Sequence, residues 1–175
     1  MKKIISIISF TFATFALSGC FTEELKTLVT FHTGTSVMGL PETNARELVE
    51  MPSSGTRVMC GTDIFMYSGD LERVDVAQVK VDGIEIYGFY FRCSMAGSKK
   101  LFSMTGSNLN NYIVMKINGK PMGLRKVDTV IADGLLFVIA DVPEVKGVSE
   151  MENLQKIADE INESIQVSDK IKKDL

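Results

Sequence analysis

The segment VDVAQVKVDGIEIYGFYF, Val74 to Phe91, decides the fold. Val74, Val76, Val79 and Val81 lead to Asp82-Gly83, and Ile84, Ile86, Phe89 and Phe91 follow. Two β-branched or aromatic runs joined by Asp-Gly predict a hairpin, because a tight type I′ turn needs positive φ at both centres. Along the second run Tyr87, Phe89 and Phe91 share one face, and Ile86, Gly88 and Tyr90 share the other. One face must be buried. The other offers Tyr90 or Tyr87 as an apolar interaction face, although the aromatic set is also what a plain core would use.

Upstream, Thr27–Met38 reads as a first strand, with Asn44–Glu50 as a helical turn or an irregular connection. Thr56–Cys60 and Asp63–Tyr67 read as two short strands. Downstream, Ser98 is a candidate N-cap for a helix to Met104, with Leu101 and Phe102 facing the core and Gly106 as its stop. Tyr112–Ile117 is a strand and Asn118-Gly119 a second two-residue turn. Pro121 and Gly123 argue for an irregular return, with Val127–Ile131 as its strand-like part. Asp133-Gly134 is a third turn, and the fully apolar Leu135–Ala140 predicts a central strand buried on both faces. Ser149 and Glu152 form a capping box for a last helix. Its apolar stripe is Met151, Leu154, Ile157, Ala158, Ile161 and Ile165, and residues 168–175 are expected to fray.

Strands, a helix, more strands and a helix predict an α+β fold. Two helices that cannot bury their stripes on each other pack on one face of an antiparallel sheet, in a ferredoxin-like arrangement. Residues 27–167 form this single domain.

The N-terminus sets the expected address. Lys2 and Lys3 precede an uncharged apolar run, and Leu17-Ser18-Gly19-Cys20 closes it. The run is too short for a membrane span, which takes about 20 apolar residues. The four-residue motif resembles the lipobox of bacterial lipoproteins, where the cysteine thiol is acylated before the leader is cut. The resemblance implies a signal peptide at 1–19, a lipidated Cys20 and a tether to residue 26. Lipid on Cys20 would hold the protein to a membrane, since stable anchoring takes about two chains. Phe21 at the next position resembles the class sent to an outer membrane, facing the periplasm, where a cell has two membranes.

Charge narrows the partners. Without the two leader lysines, 17 basic residues stand against 22 acidic ones, a net −5, with no basic run. Nucleic acid is therefore not an expected partner. Envelope or exported proteins are.

From Tyr67 to about Ile165 the chain resembles the small head subdomain of the first periplasmic region of SecD and SecDF. The likeness is one of order: Ser68-Gly69-Asp70-Leu71 before the hairpin, a short helix carrying Phe102 and ending at Thr105, then Asn108. The strand Tyr112–Ile117, the turn Asn118-Gly119-Lys120 with Pro121, Ile131, Gly134, Leu135–Ala140 and an acidic amphipathic helix follow. The turn is Asn-Gly where that family usually has Asp-Gly, and nothing corresponds to the family's membrane spans. The resemblance implies the fold and a role in contacting polypeptides.

No catalytic set is legible. His32 is the only histidine and has no nucleophile motif beside it. Cys60 and Cys93 lack Cys-x-x-Cys spacing; they are open to a disulfide or to burial as two free thiols. No metal-ligand spacing occurs, and the methionines are not clustered, so no metal or cofactor is expected. The expected function is a non-enzymatic interaction module. Its alternative is a small-ligand binder or hydrolase using scattered carboxylates and tyrosines.

Overall fold

The computed structural model describes residues 26–37, 43–81 and 83–173, without the side chains of Val81 and Lys172. The central hairpin is present: β4 (Leu71–Val81) pairs antiparallel with β5 (Ile84–Cys93) in the register Val74↔Phe91 to Val81↔Ile84, and Gly83 takes φ +85°. Around it stand β1 (Val29–Thr35), β2 (Arg46–Glu50), β3 (Arg57–Tyr67), β6 (Tyr112–Ile117), β7 (Lys120–Lys126) and β8 (Leu135–Ala140). The helices are α1 (Met95–Ser107) and α2 (Glu150–Lys173). One antiparallel eight-stranded sheet has the order β2-β3-β1-β6-β7-β8-β5-β4, and the fold is α+β.

Both helices pack on one face of the sheet. Leu101 and Met104 of α1 join Leu154, Ala158, Ile161 and Ile165 of α2 in the core formed by Phe31, Phe89, Phe91, Met115, Leu136 and Val138. A small second cluster of Val49, Met51, Val58, Cys60 and Val114 lies on alternate strand positions, on the other face.

Several local expectations are corrected. Asn44–Glu50 contributes the edge strand β2 rather than a helical turn, and the two short pieces at 56–67 are one bulged strand, β3. Helix α1 starts four residues early. Ser94 caps it by accepting from the Gly97 amide at 3.2 Å, while Ser98 lies within the helix. Phe102 is 53% exposed rather than in the core, because the buried arc of α1 runs through Gly97, Leu101, Met104 and Thr105 and Phe102 falls outside it. Gly106 is helical, and the positive φ falls on Asn110, at 66°.

The return strand is inverted relative to expectation. Pro121 and Gly123 lie in β7, and residues 127–131 leave the sheet. They are drawn off by Val127, which exchanges backbone bonds with Asn110 and Asn111, and by the Ile131 amide, which donates to Thr105 Oγ1 at 3.1 Å. The Ser149 cap holds, with Glu152 N–H on its hydroxyl at 3.3 Å, and α2 runs to Lys173.

Strand β8 corrects one more expectation. Leu136 and Val138 are buried, but Ile139 is 41% exposed, and Leu135 and Phe137 are half-buried. Helices cover only one side of it.

Candidate functional site

That uncovered side of β8 builds the most distinctive surface. Ala77 and Val79 of β4, Ile86 and Tyr90 of β5, and Phe137 and Ile139 of β8 line an apolar groove of about 530 Å³. They fall on alternate positions, opposite the residues that meet the helices. Gly88 makes room: a methyl there would stand 2.4 Å from the Val138 carbonyl oxygen and 2.6 Å from the Phe137 ring.

β7 and β8 pair only at Gly123↔Ala140 and Leu124↔Ile139, then part. Arg125 stands at that opening and lines the groove as its one charged residue. Its Nη2 donates to Asp128 Oδ1 at 2.8 Å and its Nε to the Lys126 carbonyl at 3.0 Å. Burial is the largest single influence on the Asp128 carboxyl and pushes it up, but the hydrogen bond and charge of Arg125, with backbone hydrogen bonds at Asp128 and Thr129, together hold it below its ordinary range. A second hollow of about 500 Å³, lined by the 129–133 loop and Leu135, shares Tyr90, Arg125 and Phe137 with the groove. Sequence reading named Tyr90 but missed Arg125, Phe137 and Ile139. The available signal was the uninterrupted apolar run of β8 in a sheet with helices on a single side.

The other residues singled out in the sequence do not converge there. Cys20 lies outside the described residues. Tyr87 is half-buried against the main core, on the opposite face from Tyr90. Cys60 and Cys93 are both free and buried, Cys60 in the small cluster and Cys93 in the main core, with its thiol 3.8 Å from Met66 Sδ. Burial pushes the Cys60 thiol up, and Cys93 is pushed up to about 12 by burial and by Asp70, Glu72 and Asp133.

A polar array lies beside Cys60. Lys116 is buried and donates to Glu47, which is paired across strands with Cys60. His32 is buried next to it, with Nδ1 3.0 Å from the Gly61 carbonyl and Nε2 3.0 Å from Thr30 Oγ1. The carbonyl can only accept, so Nδ1 carries the proton and Nε2 accepts from Thr30. Burial first, then the Lys116 cation, lowers the His32 pKa below 6.5. This array offers neither a thiolate nor a histidine nitrogen free to act as a base.

A third cavity, of about 590 Å³, lies under the loop 142–150, with Glu144, Lys146, Glu150 and Asn153 among its lining. Among the described residues, no group of three or more His, Cys, Asp or Glu could hold a metal ion. No described helix is long and apolar enough to cross a membrane.

No protein-family model matches the chain, and no curated protein matches it. Among solved structures it is similar to SecDF, described as a membrane component that enhances protein export, at 17% identity and a TM-score of 0.47. It is also similar to SecDF in a super-membrane-facing form, at 16% identity and a TM-score of 0.47. In each case 81% of this chain is covered, and it spans 62% and 19% of those chains respectively.

Proposed function

We propose that the chain is a membrane-anchored envelope lipoprotein that works without catalysis, as a protein-interaction module of the SecD-head type. Its docking surface is the groove at Tyr90, Phe137 and Ile139. The observation that carries this reading is a strand, β8, that is apolar on both faces while helices cover one. Exposed contiguous apolar surface of this kind marks interaction sites in soluble domains. The motif ending at Cys20 supports the anchor, and the ordered features from Tyr67 to Ile165 support the SecD-head type. Envelope or exported polypeptides are the partners this reading names.

The docking test places a photocrosslinking amino acid at Tyr90, and a control at exposed Gln155 on α2, in envelopes of the native cell. Protein adducts are expected at Tyr90, absent at Gln155, and lost on adding Phe137→Lys. Equal adducts at both positions would remove the groove from the reading. For the anchor, Cys20→Ser is expected to leave an unlipidated precursor. Normal processing and detergent partitioning of that variant would end the lipoprotein assignment.

A further inference from the structure

The geometry points to a specific way for a polypeptide to be held: as a ninth, antiparallel strand on the free edge of β4 at Val76, Gln78 and Lys80. This rests on the docking role proposed above and names the backbone recognition that would accompany it.

Strand β4 ends the sheet. In its two-residue hairpin with β5, Val81 pairs with Ile84, so odd positions of β4 bond inward to β5. Even positions therefore turn N–H and C=O outward. At Val74 that outward pair is already taken by an amide. Asn162 of α2 accepts from Val74 N–H at 3.0 Å and donates to its carbonyl at 2.8 Å. A side-chain carboxamide thus stands where the peptide group of a neighbouring strand would.

The same donor–acceptor pair recurs at Val76, Gln78 and Lys80, and no described residue occupies those three. Gln78 and Lys80 are exposed. The open stretch is bounded by the Asn162 amide at one end and the hairpin turn at the other. Ala77 and Val79, between the three positions, are groove residues.

This fixes the chemistry of the occupant. Its backbone must be extended and able to exchange amide bonds at every second residue. Its side chains opposite Ala77 and Val79 fall on the groove face and continue the apolar surface of Ile86 and Ile139. Every strand pair in this sheet is antiparallel. In an antiparallel addition, residues opposite Val76, Gln78 and Lys80 aim their N–H at β4, and residues opposite Ala77 and Val79 aim theirs away.

The test uses the full chain and a labelled peptide, acetyl-Lys-Thr-Val-Thr-Val-Thr-Val-Thr-Lys-amide, followed by fluorescence anisotropy. Valines sit in the groove, so threonine amides face β4. N-methylation of the threonines is expected to weaken binding at least tenfold, and N-methylation of the valines to leave it within twofold. Gln78→Pro removes an outward N–H that the fold does not use, a placement edge strands tolerate. It is expected to keep the circular dichroism of the native chain and lose at least tenfold in affinity. Ile139→Lys is the groove control and is also expected to bind weakly.

If Gln78→Pro and the threonine-methylated peptide bind normally while Ile139→Lys does not, strand addition is wrong and groove docking stands. If no variant matters, or the peptide does not bind, both fall. Loss with valine methylation instead overturns the antiparallel arrangement. Self-association of the chain abolished by Gln78→Pro, without peptide binding, assigns the edge to a second copy and overturns the inference.

Discussion

The rings of Phe31 and Phe91 meet edge to face, with centroids 5.2 Å apart, although β1 and β5 are separated by β6, β7 and β8 in the sheet. On a flat sheet four strand spacings would part them by about 19 Å. The sheet therefore curls around the pair. Bulges bend it at Phe31/His32, at His32/Gly34 and at Met115/Lys116. The β7–β8 joint is only two residue pairs long, and a methyl on Gly123 there would crowd Val138 and Met115. Curling is what lets two helices fill one interior and leaves the far side of β8 uncovered.

Phe31 and Phe91 should accordingly be coupled. Either Phe→Ala change is expected to cost about 3–5 kcal/mol, since each ring is fully buried. A double-mutant cycle should return about 0.5–1.5 kcal/mol of pairwise energy. Denaturant unfolding of the four proteins measures it. Strict additivity would mean that the two strands are not held together by this contact.

Gly97 gives a test in which a propensity rule and a packing rule predict opposite signs. In an exposed helix interior Gly→Ala stabilises by about 1 kcal/mol. Here a methyl would stand 2.2 Å from the Asp70 carbonyl oxygen, which itself accepts from the Ser94 amide. The listener to both rules is the joint between α1 and the turn Ser68–Asp70, which Lys100 also clamps with bonds of 2.9 and 2.8 Å to the Asp70 carboxylate. Gly97→Ala is expected to destabilise by at least about 2 kcal/mol, seen as a lower melting temperature. Gly106→Ala, with open space around it, should not lower it.

The contrast between well-read and misread segments is physical. The turns at 82–83 and 118–119 were legible because their chemistry is local; Asn118 and Gly119 do take φ 49° and 79°. The α2 stripe was legible from Leu154 to Ile165 because its period and its cap agree, whereas Met151, in the first turn, is exposed. Residues 127–131 were not, since β-branched content favours a strand and bonds to Asn110, Asn111 and Thr105, distant in sequence, decide otherwise. Phe102 was misread because the buried arc of α1 is centred on Gly97, Leu101, Met104 and Thr105, and which flank of Leu101 that arc takes in is decided by packing against the sheet. At the groove, the alternation of Tyr87 and Tyr90 was readable, but which of them faces open solvent depends on the side the helices choose.

His32 makes stability depend on pH with a definite sign. Its folded-state pKa lies below 6.5, from burial and then from Lys116. The unfolded chain therefore binds the proton more readily. The contribution of neutral His32 is present above pH 6.5 and is lost as pH falls through the lowered value. Melting temperatures measured downward from pH 7.5 should fall in the native chain and fall less in His32→Gln, which keeps a donor and an acceptor. Parallel curves for the two proteins would show that the ring titrates as it would in water.

Cys93 carries the opposite sign at the alkaline end. Its folded-state pKa, about 12, stands above the ordinary 9.0 because burial and three nearby carboxylates disfavour the thiolate. The folded chain holds that proton longer than the unfolded one. Stability is thus whole below pH 9 and declines as pH rises toward 12. Burial and the nearby carboxylates keep the Cys93 thiol protonated at pH 8, so its alkylation by iodoacetamide should be negligible in the native chain. In denaturant without reductant, both Cys60 and Cys93 should label fully, as two free thiols do. Native-state labelling of Cys93 within minutes, or a mass that shifts only after reduction, would contradict the buried free thiol beside Met66.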